Sequence, residues 1–499
     1  MIRWGITANS HDASLAVLDD NNILFAAHAE RSSGIKNDKF LNTTIINQAL
    51  EFGEPCEVHW YETQWLKRIR QLRAGQYSLA LTKESPDTTL ANLGVKSKLF
   101  SHRHHASHAS AGYYTSPYDK SAVLVIDSIG EFETLTIWNG TGNTLNKVFS
   151  QSYPNSIGLW YSAMTQRIGL KPNEDEYILM GWAAVGNPDR FKKQILQDFF
   201  HPLSKTNPTV RLKHNLHRGC KWWNPELQSQ QDYADIAAAT QAVYEIIFDH
   251  LLFHTKRLIG GSNIVLMGGC ALNCVANGMA YKYFKNVWIM PNPGDAGSSV
   301  GCVLDHIKQK TKFNTAYLGY NIKGTYPVKS ALKQLTTVGM VGVANGRAEF
   351  GPRALGNRSL LADPRGPEMQ DLVNTVKQRQ AFRPFAPVIM EEYVHDYFYM
   401  PKGCNSSPYM QFIGHTRQPK MFPAITHIDG TSRVQTVNRS QHSGLYELLA
   451  QWYAKTGCPM LLNTSLNIKG EPMVDTEFDA QRWTQKYNVK VVTYDDKPI

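Results

Sequence analysis

Three apolar runs of strand length, each followed at once by polar residues or glycine, constrain the fold of this chain most. Residues 122–126 precede Asp127, residues 264–267 precede Gly268 and Gly269, and residues 287–290 precede a loop that contains Asp295. Continuous apolar runs predict strands buried on both faces, as in α/β sheets. Because ligands of such sheets collect at the carboxyl ends of the strands, Asp127, Gly269 and Asp295 are predicted to share one cleft.

A histidine-rich run over residues 102–108 adds a candidate metal site. His104 and His108 lie four positions apart, so on a helix their imidazoles project from one face, one turn apart. Two neutral imidazoles can share one metal ion, and Asp127 and Asp295 are the candidates for the remaining ligands. A surface histidine cluster is the alternative interpretation of the spacing taken alone.

The pattern of elements predicts more than one domain. A chain of 499 residues exceeds what one hydrophobic core usually supports. The opening reads as strands over residues 2–7, 14–18 and 23–29 with a polar loop at 9–12, an order with which actin-like and sugar-kinase-like ATPases begin. Composition shifts at 312–326, which we interpret as a linker. A second α/β pattern follows, with strands at 338–344 and 460–462 and a helix that runs through Lys377.

Composition predicts a soluble, cytoplasmic protein with no membrane partner. The N-terminal residues lack the apolar segment of a signal peptide, and no apolar run approaches the roughly 20 residues that span a bilayer. The seven cysteines form no CxxC pair, which argues against a disulfide framework and fits a reducing compartment.

The formal net charge of +10 is unevenly distributed and is consistent with either a polyanionic partner or a solvated basic face. One cluster comprises Lys67, Arg68, Arg70 and Arg73, and a larger one lies between Gly186 and Trp223. Residues 211–223 interleave cations and histidines with Trp222 and Trp223, a composition that suits phosphate contacts and base stacking. The alternative is that the two tryptophans are packed beneath an insertion.

The second half lacks a P-loop motif but is rich in arginine. Arg347, Arg353 and Arg358 flank a Gly-Pro segment, and Lys377 and Arg383 follow it. Planar guanidinium groups bind phosphate oxygens in pairs and stay charged at any cellular pH. Their apolar and glycine-rich surroundings favour a partly buried anion pocket over an ordinary basic surface.

Taken together, these segments resemble the O-carbamoyltransferase family, whose members make nodulation factors, cephamycins and carbamoylated aminoglycosides. The matching stretches, in family order, are residues 10–14, 104–111, 171–176, 268–273, 294–297, 349–358, 382–387 and 463–467. The resemblance implies an α/β protein with two domains. Residues 1–315 would form an actin-like ATPase domain like that of the tRNA threonylcarbamoyl transferase, and residues 326–499 an α/β domain that forms carbamoyl adenylate.

By the same resemblance, carbamoyl phosphate and Mg-ATP give carbamoyl adenylate and pyrophosphate, and the carbamoyl group then passes to an acceptor hydroxyl with release of AMP. The divalent metal would be iron(II), with manganese or zinc as alternatives, held by His104, His108, Asp127 and Asp295. His11 would act in the transfer step, and Lys36 would contact the acceptor. The adenylate would contact Gly269 and Asn273. The carbamoyl phosphate and ATP set would be Arg353, Lys377, Arg383, Arg433, Asn463, Ser465 and Asn467.

Several alternatives stay open on the sequence. Asp295 could cap a helix instead of binding metal, and His11 could be a loop histidine that only contacts its neighbours. The acceptor is predicted to be a hydroxymethylated pyrimidine in DNA or RNA, because a small sugar, antibiotic or nodulation factor gives no reason for a basic surface. A tRNA threonylcarbamoyl transferase and a nucleotide-gated regulatory protein are the competing functions. The oligomeric state is open, with a homodimer as one option.

Overall fold

The computed structural model describes residues 1–378 and 385–496, so Arg383 of the predicted anion-binding set lies outside the described residues. The described residues form a mixed α/β structure, which confirms the predicted fold class. The strands, in chain order, are β1 (Ile2–Thr7), β2 (Ser14–Asp19), β3 (Asn22–His28), β4 (Glu57–Trp60), β5 (Lys98–Ser101), β6 (Lys120–Gly130), β7 (Glu133–Thr141), β8 (Thr144–Ser152), β9 (Asn263–Met267), β10 (Asn286–Trp288), β11 (Tyr317–Ile322), β12 (Met340–Ala344), β13 (Gly346–Glu349), β14 (Arg358–Ala362), β15 (Ala386–Met390), β16 (Phe398–Tyr399), β17 (Phe412–Thr416), β18 (Thr431–Val437), β19 (Met460–Ser465) and β20 (Val491–Val492).

Helices alternate with these strands along the chain. They are α1 (Ala29–Ser33), α2 (Thr43–Leu50), α3 (Gln64–Arg73), α4 (Tyr77–Ala80), α5 (Pro86–Asn92), α6 (His104–Thr115), α7 (Ile157–Arg167), α8 (Glu176–Trp182), α9 (Lys192–Phe199), α10 (Gln230–Ile259), α11 (Cys274–Asn277), α12 (Ser298–Ile307), α13 (Val328–Val338), α14 (Pro367–Lys377), α15 (Val394–Tyr397), α16 (Ser443–Thr456) and α17 (Glu477–Tyr487).

The chain divides into two compact units. The first contains residues 1–2, 7–54 and 312–499, and the second contains residues 3–6 and 55–311. Residues 7–54 therefore group with the C-terminal third of the chain.

The second unit is built on a five-stranded sheet of order β10-β9-β6-β7-β8. Strands β6, β7 and β8 are antiparallel neighbours, whereas β9 and β10 run parallel to β6. Val125 of β6 pairs with Met267 of β9, so the carboxyl ends of these strands lie at the same edge. Asp127 and Gly269 are therefore neighbours at that edge, as the apolar runs predict.

The same succession of strand directions opens the chain. Strands β2 and β3 are an antiparallel hairpin, and β1, β4 and β5 run parallel in that order. The strand order β3-β2-β1-β4-β5 corresponds position for position to β8-β7-β6-β9-β10, so one five-stranded arrangement occurs twice. This repeat is the arrangement that the predicted actin-like fold requires.

Two helices of the second unit pack unusually closely. A Cβ atom on Gly301 of α12 would lie 1.9 Å from the carbonyl oxygen of Ser107 in α6, so only glycine allows this approach. The long helix α10 is, among the described residues, the one helix apolar and long enough to cross a membrane. In the 18-residue stretch of α10 with the highest mean hydropathy, 67% of the residues are buried inside the protein.

The first unit contains an eight-stranded mixed sheet of order β16-β17-β18-β15-β19-β14-β12-β20. Its core comprises apolar residues of β12, β14, β15 and β19 packed against α13 and α16, among them Val343, Leu361, Leu448 and Leu462. The segment predicted as a linker, 312–326, instead contains β11, which pairs antiparallel with β13. Local composition missed this strand because its pairing partner lies further along the chain.

Candidate functional site

The four predicted metal ligands meet in the second unit. His104 and His108 lie one turn apart on α6, and Asp127 lies near the carboxyl end of β6. Asp295 begins a short 3-10 turn, Asp295–Gly297, directly before α12. All four side chains are buried, which excludes the surface-cluster interpretation of the histidine run.

The distances among these side chains are short. His104 Nε2 lies 3.1 Å from His108 Nε2 and 3.2 Å from Asp127 Oδ2, while His108 Nε2 lies 3.2 Å from Asp295 Oδ1. One donor atom from each residue lies within 4.8 Å of the other three. Both rings therefore present their Nε2 atoms to the same point, and in the part of the chain that the structure describes their buried Nδ1 atoms have no hydrogen-bond partner.

Two nitrogen and two carboxylate donors fit iron(II), manganese or zinc. Two Nε2 atoms that face each other cannot both donate a hydrogen bond, whereas both can offer a lone pair to one cation. Burial opposes protonation of His104, but the carboxylates of Asp295 and Asp127 raise its pKa well above the usual value. Burial and Asp295 act to raise the pKa of Asp127, yet the nearby histidines hold it far below the usual value. The Asp127 carboxylate is thus poised to carry negative charge toward a cation, and the role of the four residues as ligands stays a prediction.

Backbone geometry positions these side chains. A Cβ atom on Gly130 would lie 2.2 Å from the His104 ring, so glycine is required where β6 passes this imidazole. Gly269 N donates a 3.1 Å hydrogen bond to Asp127 Oδ1 and so helps to orient that carboxylate. The cap positions of the 3-10 turn and of α12 are occupied by Gly294 and Gly297, so Asp295 lies inside the turn and not at a cap position.

Gly269 and Asn273, predicted to contact the adenylate, lie on the segment after β9. Asn273 is buried, and its amide exchanges two hydrogen bonds with the Gln241 amide, at 2.9 and 3.2 Å. Its Oδ1 also accepts from Ala276 N at the start of α11. Asn273 therefore holds the segment in place, and Gly269 is the member of the pair beside the predicted metal ligands.

His11 and Lys36, predicted for acceptor chemistry, lie in the first unit. The exposed imidazole of His11 lies 3.2 Å from the carboxylate of Asp12, through Nδ1. Lys36 Nζ contacts both oxygens of the Glu30 carboxylate, at 2.9 and 3.1 Å. Although burial opposes ionisation, Lys36 and Arg31 lower the pKa of Glu30, so the pair is charged.

Three predicted anion-binding residues of the C-terminal half form one cluster. Lys377, at the end of α14, is buried and donates to Ser465 and Asn467 after β19. Its Nζ atom lies 2.5 Å from Ser465 O, 2.6 Å from Asn467 O and 2.7 Å from Asn467 Oδ1. The ammonium group of Lys377 thus donates its hydrogen bonds to residues 465–467 and stabilises the conformation of that turn.

Asn463 connects β19 to the arginine-rich loop. Its Nδ2 donates to Ala354 O at 3.1 Å and to Gln435 Oε1 at 2.6 Å, and its buried Oδ1 has no hydrogen-bond partner among the described residues. Arg353, next to Ala354, is partly buried in the same loop. Arg433 lies on β18, and within residues 1–378 and 385–496 its buried Nε atom has no hydrogen-bond partner.

Two arginines that the sequence suggested for an anion pocket are structural instead. Arg358 is fully buried and donates to backbone carbonyl oxygens of five residues, namely Tyr320, Asn345, Gly346, Asn357 and Asp475. Arg347 donates to the carbonyl oxygens of Leu24, Leu318 and Gly319. The sequence analysis missed Glu349, whose Oε1 accepts from the backbone N–H groups of Leu355, Asn357 and Arg358 and so shapes the loop. The signal available in the sequence was that Glu349 is the one acidic residue in a segment that also contains Arg347, Arg353 and Arg358.

The two basic clusters differ in their surroundings. In the cluster of residues 67–73, Lys67 pairs with Glu62 at 2.6 Å, and the buried Arg70 side chain donates to the carbonyl oxygen of Glu131. These two cations therefore have partners within the protein. Around residues 211–223, Trp223 is buried and donates to Asp198, whereas Trp222 is 54% exposed. The exposed cations of the same segment are Arg211, Lys213, Arg218 and Lys221.

Comparison with known proteins agrees with this architecture. The family model described as carbamoyltransferase N-terminus matches residues 68–304, and that described as carbamoyltransferase C-terminus matches residues 332–499. The chain therefore belongs to the carbamoyltransferase family. It is an enzyme, a carbamoyltransferase, which confirms the predicted family and activity class and excludes the regulatory alternative.

Individual relatives give the same assignment. Nodulation protein NolO of Bradyrhizobium diazoefficiens is 32% identical over 411 residues, which cover 76% of this chain and 75% of that protein. The 3'-hydroxymethylcephem-O-carbamoyltransferase of Amycolatopsis lactamdurans is 27% identical over 525 residues, which cover 97% of each chain. Among solved structures, the chain is similar to full-length HypF in its phosphate- and nucleotide-bound form, with 12% identity and a TM-score of 0.35, over 62% of this chain and 46% of that one.

Proposed function

We propose that the enzyme converts carbamoyl phosphate, water and ATP into carbamoyl adenylate, inorganic phosphate and pyrophosphate, and transfers the carbamoyl group to an acceptor hydroxyl. The observation that carries this proposal is the convergence of His104, His108, Asp127 and Asp295 in one buried cluster. These four residues would hold a divalent ion, which would supply positive charge to offset the charge that develops on AMP as it leaves. The cephem relative, whose name specifies a hydroxymethyl acceptor, supports a hydroxyl acceptor here.

In the transfer step, the acceptor oxygen attacks the carbamoyl carbon, and the bond from that carbon to the adenylate oxygen breaks. AMP carries the bonding electrons away, and the acceptor's proton moves to a base. We assign His11 as that base: Asp12 faces its Nδ1, so Nε2 is the nitrogen that accepts the proton. Gly269, through its bond to Asp127, keeps the carboxylate directed toward the cluster.

The adenylate step is tested by pyrophosphate release without acceptor. We expect pyrophosphate only when ATP, Mg²⁺ and carbamoyl phosphate are all present. Arg353→Ala should lower its release by about 100-fold, because a guanidinium group that neutralises phosphate charge is lost, while metal content is unchanged. The matched control is Arg482→Ala, which removes an exposed arginine of α17 and should release pyrophosphate at the wild-type rate. Loss of metal in Arg353→Ala, or pyrophosphate without carbamoyl phosphate, would contradict the scheme.

We propose a nucleic acid that carries a hydroxymethylated pyrimidine as the acceptor. The support is the surface around residues 211–223, where exposed Trp222 can stack on a base and Arg211, Arg218 and Lys221 can contact phosphates. Because the predicted metal ligands are buried, the base would have to come from a single strand or be flipped out of a duplex. The alternative acceptor is a small-molecule hydroxyl, which the name of the cephem relative favours.

The acceptor proposal predicts a mass gain on a defined nucleoside. Single-stranded DNA with hydroxymethylcytosine is incubated with enzyme, ATP and carbamoyl phosphate and then digested to nucleosides. We expect a gain of about 43 Da, from replacement of the hydroxyl hydrogen by a carbamoyl group. Trp222→Ala should raise the DNA concentration needed for half-maximal rate about 10-fold, because one stacking contact is worth about 1–3 kcal/mol. Phe478→Ala, which removes another exposed aromatic side chain, is the control. An unmodified nucleoside beside a carbamoylated small alcohol would refute this acceptor and leave the adenylate scheme intact.

A further inference from the structure

A second group of histidines lies in the second unit, apart from the four predicted ligands. His59 lies on β4, His102 follows β5, and His306 lies in the last turn of α12. One ring nitrogen from each lies within 4.8 Å of the other two. His59 Nδ1 is 3.1 Å from His102 Nε2, close to the roughly 3.4 Å that separates two ligands of a tetrahedral ion with 2.0–2.1 Å bonds to nitrogen.

A carboxylate orients one of these rings. His102 Nδ1 lies 2.7 Å from Asp305 Oδ2, and the other oxygen of Asp305 accepts from Ser110 Oγ at 3.2 Å. A histidine that binds metal through one nitrogen almost always donates its other N–H group to such a partner, which sets the tautomer. With Nδ1 as the donor, His102 Nε2 offers its lone pair toward His59.

His59 itself is suited to be a neutral ligand. Its side chain is fully buried, and the ring stacks on Phe100 at 5.2 Å between centroids. Burial, with the neighbouring imidazoles of His102 and His306, lowers the pKa of His59 to about 3. The packing against Phe100 places His59 Nδ1 opposite His102 Nε2, where the two nitrogens can share one ion.

The group is also accessible to an incoming ion. Exposure of the side chain rises from 0% at His59 through 9% at His102 to 35% at His306. An ion could therefore enter past His306 and keep a water molecule as its fourth ligand. A carboxylate oxygen of Glu57 lies 3.6 Å from His59 Nε2 and 3.9 Å from His306 Nε2, which adds negative charge beside the site.

We propose that His59, His102 and His306 form a second metal site, for Zn²⁺, with Asp305 as a positioning residue. Three neutral imidazoles and a water molecule make a tetrahedral set that zinc accepts readily. The site is separate from the buried cluster in its ligands, but both sites involve the same two helices. His102 precedes α6, which carries His104 and His108, and His306 belongs to α12, which follows Asp295. A metal here would tie the end of α12 to β4 and to the segment before α6.

The test counts zinc ions in the full-length protein after equilibration at a fixed free Zn²⁺ concentration. We expect two equivalents in the wild type, one in His306→Asn and one in Asp127→Asn. Because His306 is partly exposed, its replacement should leave the fold intact, which circular dichroism verifies. His415→Asn, at an exposed histidine of β17, is the matched control and should keep two equivalents.

A second variant probes the positioning role. Asp305→Asn should weaken the second equivalent of Zn²⁺ by about 10- to 100-fold without a change in the first, as loss of a carboxylate partner does at zinc sites. Two outcomes would overturn the proposal. In the first, the wild type binds a single Zn²⁺ ion, and Asp127→Asn binds none. In the second, His306→Asn still binds two Zn²⁺ ions. A second equivalent lost in both His306→Asn and His415→Asn would also count against it, as adventitious surface binding.

Discussion

Replacement of Asp127 by asparagine is expected to remove the metal of the buried cluster and to lower carbamoyl transfer by about 100-fold or more. The reason is the loss of one of the two carboxylates, Asp127 and Asp295, that contact the paired histidines. Asp127 Oδ2 lies 3.2 Å from His104 Nε2, and its Oδ1 accepts from Gly269 N. An amide keeps the shape of this side chain, but its oxygen is a weaker ligand and carries no charge to offset a cation.

Metal content by mass spectrometry and the rate of product formation are measured on the same preparation. Asp119→Asn is the control, since this exposed carboxylate directly precedes β6 and should leave both quantities unchanged. If Asp127→Asn kept a full equivalent of metal and the wild-type rate, the buried cluster would not be the catalytic centre.

Replacement of Arg358 by methionine should lower the free energy of unfolding by about 3–5 kcal/mol. The Arg358 side chain is fully buried and donates hydrogen bonds to the carbonyl oxygens of Tyr320, Asn345 and Asp475, among others. Methionine fills much of the volume but donates no hydrogen bond, so these buried carbonyl groups lose their partner. The Asp475 side chain, also buried, would lose a nearby positive charge.

Denaturant unfolding followed by tryptophan fluorescence measures this loss. Arg365→Met is the control, because Arg365 pairs with Asp363 at a partly exposed position and should change stability by less than about 1 kcal/mol. A stable Arg358→Met protein that failed only in pyrophosphate release would instead restore Arg358 to the anion-binding set.

The features that the sequence predicted well are local. Strands β6 and β9 followed from continuous apolar runs, and the pairing of His104 with His108 followed from helical periodicity. The convergence of Asp127 with Asp295 followed from a general property of α/β sheets, that strand ends meet at one edge. Each of these inferences needs only a short stretch of chain and a repeat of known length.

The features that the sequence did not predict depend on distant partners. Arg353 and Arg358 are five positions apart in the same glycine-rich loop, yet one is partly exposed and the other is fully buried. The difference arises because carbonyl groups from Tyr320 and Asp475 surround Arg358, and no local pattern encodes that meeting. His59, on a strand with no motif of its own, meets His102 and His306 only in the folded chain.

The amino-acid sequence by itself thus determined the α/β class, the family and the identity of four converging metal-ligand candidates, because these depend on periodicity and on motifs that are continuous in the chain. Only the tertiary structure decided which cations face solvent, which arginines hold the backbone and where a second histidine group forms. The physical reason is that a charged side chain has no fixed role of its own. Its role depends on whether folding supplies it with carbonyl groups, a counter-charge or water.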